Sequence, residues 1–479
     1  MKPSAANKTA YAILVLAAGL KFTLLAFVIP PLMQPDSIGY ITFANQFMTG
    51  WEWFWERNST SGEDTYRTIG YPAVIAAGMW IFGDGWEQGV IGFQIVLGLA
   101  ASILLYRFAS LALDRWWLGL LVAVGYTFSL ALVYEFHILT DALYGHLIVI
   151  TIATLGLIAM RPNERATHIL IPAVALGLAF LIRDFTLYML PVFVVLVFVA
   201  VVRRRNSLAA KTAMFVTVLV PVILLSGAYA SWNEHRTVER FITTGARTAA
   251  LLPLVQFAGQ GVPIFDQDTP LDEAARASLS TYFYADVLNI NRYLEQKGLQ
   301  GLEMSRLARD RFMQTLAEHP LIVARHVLRE LRFLSLSQKL INPLNAYSDI
   351  AAFRENRNPE AFRDRMLGAL ASSDLARTAF ALAELAVVSM ILLIGLTAYI
   401  VFPLVYLTML ATRRNIEFVW HVLASTWICF IGAAVCYGII RLEARYLIGF
   451  APFMVILPLK MTLSAMFNRR PSRSNAAAS

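Results

Sequence analysis

Ten apolar blocks dominate the sequence, each close to the length that crosses a hydrocarbon core of roughly 30 Å. They are residues 11–29, 90–108, 116–134, 138–160, 168–182, 186–202, 213–232, one within 379–411, 418–439 and 446–467. In lipid every backbone N–H and C=O must be satisfied within the protein, and uninterrupted apolar stretches of this length do so as helices. The expected fold class is therefore an all-α polytopic membrane protein with about ten transmembrane helices. Composition agrees. The chain is 58% hydrophobic and 15% charged, where a soluble domain is about half apolar and a quarter charged.

Another apolar run, residues 71–82, is short for a span. Pro72 opens it and Gly83-Asp84-Gly85 follows it, so it reads as a juxtamembrane or interfacial helix. The first block is too long for a signal-peptide core and lacks a small-residue cleavage site after it, so it reads as a retained helix that directs insertion. The two cysteines, Cys429 and Cys436, share one block. On a helix they stand about 10 Å apart, too far for a disulfide.

Orientation follows from basic residues in short loops. Lys2, Lys8, Arg107, Arg115, Arg161, Arg165, Arg203, Arg204, Arg205, Lys211, Arg413, Arg414, Arg469, Arg470 and Arg473 all fall on one side if each block crosses once. That side is the expected cytoplasmic face, and both chain ends lie on it. The net charge of +8 is thus a topological signal, and no nucleic-acid partner is needed to explain it. The expected organisation is an N-terminal transmembrane module over 1–232 with a first outer loop at 31–89. A large, mainly helical extracytoplasmic domain over 233–378 follows, then C-terminal transmembrane helices over 379–468 and a cytoplasmic tail over 469–479. Within the large domain, Arg325, Arg329 and Arg332 recur at helical spacing beside apolar residues. That pattern reads either as a helix lying on lipid headgroups or as an ordinary solvated face.

Charge near a membrane needs a partner or water, and several charged residues gather at the expected outer ends. Asp36 follows the first helix; Pro35 can start a helix with Asp36 in its first turn and Tyr40 one turn on. Asp36 reads as a helix cap or as a free carboxylate. Arg67 precedes the short apolar run and reads as a lipid-phosphate anchor or as part of a site. Glu135 and His137 sit in the next outer turn as weak metal candidates, and Asp141 opens the following helix, where its dipole favours an anion. Arg183 and Asp184 read as a structural ion pair. Arg441, Glu443, Arg445 and Tyr446 fill the last outer turn, and two arginines four apart suit an oxyanion. Within the spans, Lys21 and Lys460 are the clearest charges, and both are placed to snorkel.

The order of these motifs resembles a known family. Asp36 stands in a Pro-Asp-Ser-x-x-Tyr run, and Arg67-Thr68-Ile69-Gly70-Tyr71-Pro72 precedes a short helix. Leu139-Thr140-Asp141-Ala142-Leu143 opens a span, and Glu443-Ala444-Arg445-Tyr446-Leu447 precedes the last one. This resembles the GT-C glycosyltransferases that use polyprenyl-phosphate sugars, among them the lipid A aminoarabinose and galacturonic acid transferases and the protein O-mannosyltransferases. The resemblance implies a GT-C type bundle and inverting transfer of a sugar from a polyprenyl-phosphate donor to a lipid, glycan or protein acceptor. It assigns Asp36 as general base and Asp141 as a second catalytic acid. It assigns Arg67, Arg441 and Arg445 to the donor phosphate, with Tyr40, His137 and Tyr446 lining the substrate. Many relatives carry a second acid directly after the first; here Ser37 stands there, so no paired-acid motif supports a divalent metal, and the cofactor stays unknown. The expected location is a bacterial inner membrane with the site facing the periplasm. Two alternatives remain: a polysaccharide polymerase or ligase using a lipid-diphosphate donor, and a lipid or sugar transporter.

Overall fold

A computed structural model describes residues 5–50, 52–56, 63–161, 166–204, 206–331, 367–368, 371–372, 374–412, 416–440 and 442–467. Among these residues the structure is helical, with one isolated backbone bridge between Leu32 and His137. The N-terminal module comprises α1 (Ala5–Phe27), α2 (Pro35–Met48), α3 (Gly70–Phe82), α4 (Trp86–Leu113), α5 (Trp116–Thr127), α6 (Leu130–Glu135), α7 (Thr140–Met160), α8 (Leu170–Ile182), α9 (Thr186–Val202) and α10 (Leu208–Thr237). The domain that follows contains α11 (Leu251–Ala258), α12 (Pro270–Ser278), α13 (Tyr284–Gln296), α14 (Gly301–Glu318) and α15 (Pro320–Glu330). The chain then re-enters the bundle through α16 (Leu375–Leu396), α17 (Phe402–Ala411), α18 (Phe418–Ile440) and α19 (Ala451–Phe467).

Each expected apolar block coincides with helix. Among the described residues six helical runs are long and apolar enough to cross a membrane: Ala5–Phe27, Gly70–Leu113, Thr140–Met160, Leu208–Thr237, Leu375–Ala411 and Phe418–Ile440. Four shorter apolar helices, Trp116–Thr127, Thr167–Ile182, Thr186–Val202 and Ala451–Met466, complete the set. The third block, expected as one helix, is two, because the chain turns at Phe128 and Ser129 before α6. The run 71–82 forms the separate helix α3, ended at Gly83, whose φ of +55° suits glycine.

The centre of the bundle is α7, in which every residue from Thr140 to Ala159 is buried. A helix apolar all round belongs inside a bundle, and α4, α8, α9 and α18 pack against it. Glycines set the closest approaches. A Cβ on Gly449 would fall 2.6 Å from the carbonyl oxygen of Gly145, so only glycine fits where the last turn meets α7.

The helices from Leu251 to Glu330 share a core of their own, built on Leu251, Leu254, Val255, Phe257, Leu271, Val287, Ile290, Leu294, Met304 and Ala308. Buried Arg311 ties it together, donating to Asp272 at 2.7 Å and 2.9 Å and to Gln267. Helices α14 and α15 break at His319, with Pro320 opening the second. The basic helix is not an evenly solvated face. Val327 joins the bundle core against α18, while Arg325 and Arg329 stay exposed beside Leu321 and Leu328. Arg332 lies outside the described residues.

Candidate active site

The two acids singled out from the sequence are joined through one backbone contact. Leu32 N–H donates to the Phe136 carbonyl at 2.8 Å, and Ile138 N–H donates to the Leu32 carbonyl at 3.0 Å. Four residues after Leu32 comes Asp36, and three after Ile138 comes Asp141. A single bridge thus registers the starts of α2 and α7 against each other.

At the start of α2, Ser37 and not Asp36 serves the helix end. The Gln34 N–H donates to Ser37 Oγ at 2.9 Å, and Ser37 is fully buried. The capping interpretation of Asp36 is therefore replaced: its side chain is half exposed, with Arg67 Nη2 at 3.6 Å. Ser37 is thus committed to the helix start, while the neighbouring Asp36 side chain stays half exposed. Arg67 lies over the ring of Tyr40 at 4.1 Å and that of Tyr66 at 5.3 Å, and its backbone carbonyl accepts from Tyr229 Oη at 3.1 Å. These contacts hold the Arg67 guanidinium beside Asp36.

Asp141 is buried, and Arg183 donates to it at 2.7 Å while its Nε donates to Thr140 Oγ1 at 2.9 Å. The expected Arg183–Asp184 pair does not form; Asp184 instead accepts from the Thr243 hydroxyl at 2.6 Å. Arg445 pairs with Glu443 at 2.6 Å and approaches Asp141 at 3.8 Å. Tyr446 lies beneath Arg183 at 5.1 Å and stacks on Tyr437 at 4.8 Å. Tyr40 links the halves, with Arg67 on its face and its hydroxyl 3.5 Å from Thr140 Oγ1. Asp36, Arg67, Tyr40, Asp141, Arg445 and Tyr446 therefore converge at the end of the bundle that faces helices α11–α15. Arg441 lies outside the described residues.

Glu135 and His137 separate. Glu135 turns inward, where Lys21 Nζ donates to it at 2.5 Å and His146 Nε2 lies at 3.1 Å. His137 directs Nδ1 to the Val133 carbonyl at 2.8 Å, and burial lowers its pKa below the usual histidine value. Side chains committed to different partners do not form the metal pair considered from the sequence. Lys21 does not snorkel either: it is 2% exposed and ion-paired. Asp64 pairs with buried Arg236 at 2.6 Å, away from Asp36.

Asp36 and Arg67 open into a cavity of about 310 Å³ at the seam with the domain, which Tyr66, Arg247, Thr248 and one face of α13 also line. Arg247 shares this aromatic neighbour with Arg67, 4.9 Å from the Tyr66 ring. The seam is pinned by Thr244 N–H donating to the Thr65 carbonyl at 2.8 Å. Arg183 and Arg247 were both missed from sequence. An Arg-Asp dipeptide looks self-contained, and Arg247 reaches the site only through the fold of a separate domain.

No family model matches the chain, and no curated protein matches it. Among solved structures it is similar to ArnT from Cupriavidus metallidurans bound to undecaprenyl phosphate, at 17% identity and a TM-score of 0.35 over 82% of this chain and 76% of that one. It is also similar to the apo state of ArnT, at 16% identity and a TM-score of 0.33 over 90% and 78%. A third is archaeal oligosaccharyltransferase AglB from Archaeoglobus fulgidus in complex with an inhibitory peptide and a dolichol-phosphate, at 14% identity and a TM-score of 0.36. This chain is covered over 93% and spans 56% of that longer one.

Proposed function

We propose that the chain is a GT-C type membrane glycosyltransferase. It moves a sugar from a polyprenyl-phosphate donor to an acceptor on the face that carries helices α11–α15, which by the distribution of basic residues is the outer face; the membrane in this proposal is a bacterial inner membrane. One observation carries this reading: a half-exposed carboxylate, Asp36, shares a cavity with Arg67 and Arg247, two guanidinium groups from distant parts of the chain. Arginine in a partly dry site suits a phosphate oxyanion, and a half-exposed carboxylate beside it suits a general base.

In the reaction the acceptor O–H or N–H attacks the anomeric carbon. The new bond forms as the carbon–oxygen bond to phosphate breaks, and the acceptor proton passes to Asp36. The leaving group is the polyprenyl phosphate, and direct displacement inverts the anomeric centre. Charge developing on the departing oxygen is stabilised by guanidinium groups already in position. Asp141, gripped by Arg183 and close to Arg445, serves to orient those two arginines, and its carboxylate is already committed as an acceptor.

A second reading, a transporter, is favoured by one observation: the Lys21–Glu135–His146 contacts lie inside the bundle, where ionisable groups often mark substrate or proton paths. Asp36→Asn separates the two. In nanodiscs, a transferase variant should still bind undecaprenyl phosphate by native mass spectrometry. The change that the gene makes to envelope glycans should fall by about 10²–10⁴-fold in rate. An Asp36→Asn chain that supports that change at the normal rate excludes the proposed base.

A further inference from the structure

Opposite Asp36, the cavity wall is one face of α13. Tyr284, Leu288, Asn291, Arg292 and Glu295 line it, at spacings that place them on a single helical stripe. The stripe is graded, with an aromatic ring and a leucine at its start and an amide and two charges further along. Its apolar end runs onto an exposed aromatic cluster. Tyr282, Phe283 and Tyr284 are 42%, 53% and 38% exposed, and Leu288 is 46% exposed. Contiguous apolar surface left open beside a polar cavity marks a binding surface.

The cluster is held outward by construction. Buried Asp286 accepts from the amides of Ser280, Thr281 and Tyr282 at 3.1, 2.9 and 2.5 Å. It also accepts from the hydroxyls of Ser280 and Thr281 at 2.9 and 3.3 Å. Burial opposes ionisation of this carboxyl, but these donors outweigh it and hold the pKa below the usual aspartate range. They keep Tyr282 at φ +55°, left-handed backbone that a bulky residue rarely adopts. Gly259 seats the loop, since a Cβ there would fall 2.6 Å from Tyr282 Cβ. Such strain persists only where the surroundings over-determine it, and it points toward function.

We propose that this wall and its aromatic rim bind the acceptor, and that the bound part of the acceptor is a saccharide. The proposal rests on the transferase reading and adds the class of acceptor. A sugar ring has apolar C–H faces, which pack on aromatic rings, and hydroxyl edges, which need both donors and acceptors. The stripe supplies these in order: aromatic rings first, then Asn291, Arg292 and Glu295. Charge is graded to match. Glu295 lies 3.8 Å from Arg247 and offsets positive charge on the α13 side, whereas Arg67 faces the donor side beside Asp36. A lipid surface would use the rings but has no need of an amide and a carboxylate behind them.

The test uses the full chain in nanodiscs of phosphatidylethanolamine and phosphatidylglycerol. It is presented to an array of neutral and acidic bacterial oligosaccharides, with undecaprenyl phosphate binding measured in parallel. The unmodified chain should retain a subset of the array. Phe283→Ala should weaken that retention at least tenfold and Phe283→Trp should keep it; Phe283 is exposed enough that neither threatens folding. Absence of retention by the unmodified chain, or equal retention by Phe283→Ala, overturns the proposal. So does stronger quenching by brominated lipid of Phe283→Trp than of the unmodified chain, which would place the rim in the bilayer. The transferase reading is tested apart from this: undecaprenyl phosphate should bind the unmodified chain and bind Arg67→Ala at least tenfold more weakly.

Discussion

Glu135→Gln tests how the bundle holds the site together. The Lys21 and Glu135 side chains are 3% and 1% exposed, and His146 Nε2 lies 3.1 Å from the other carboxylate oxygen. His146 is held in turn by Tyr126 Oη at 2.7 Å. Glutamine matches glutamate in volume, so the change makes no cavity. It removes a charge and leaves Lys21 buried without a counter-ion, a loss of about 3–5 kcal/mol for a broken buried pair. Lys21→Met with Glu135→Gln removes both charges while the amide still faces His146. Replacing a whole buried pair by apolar groups is often neutral, so the double variant should recover to within about 1 kcal/mol of the parent. The assay is unfolding in mixed micelles by dodecyl sulfate titration, followed by tryptophan fluorescence, for the parent, both single variants and the double. Equal stability of parent and Glu135→Gln, or strict additivity of the two single effects, would refute the claim that the pair is held charged inside the bundle.

Gly98→Ala attacks the same place sterically, because its Cβ would fall 2.4 Å from Glu135 Oε1 and 3.0 Å from His146 Nε2; a loss of about 1–3 kcal/mol is expected in the same titration. Arg183→Ala should slow sugar transfer by about 10²–10³-fold, the scale of a lost preplaced donor. Arg183→Lys should not restore it, since Lys lacks the rigid planar fork that spaces Nε on Thr140 and Nη2 on Asp141; envelope glycan profiles by mass spectrometry read both variants. Asp286→Ala should leave three backbone donors without their acceptor. Amide exchange at residues 280–282 should accelerate while the α7 core stays protected, as hydrogen–deuterium exchange can show.

Residue type and spacing along the chain carried the membrane class, the ten helical blocks, the short helix after Arg67 and the placement of Asp36 and Asp141 in first turns. These depend on local rules: apolar length, proline at a helix start and glycine at a helix end. The identity of each charge's partner did not follow from local rules. Arg183 looked paired with its neighbour Asp184, yet it binds Asp141, 42 residues away. Lys21 looked free to reach water, yet it meets Glu135, 114 residues away. Once apolar packing excludes water, a buried charge takes whatever counter-charge the helices bring within reach, however distant in sequence. Arg247 and the α13 wall belong with these, because a separate domain had to fold over Asp36 before either faced the cavity. Sequence alone thus decided which segments are helices and where their ends carry charge. Tertiary packing alone decided which of those charges meet, since electrostatic partnership depends on distance in space and desolvation.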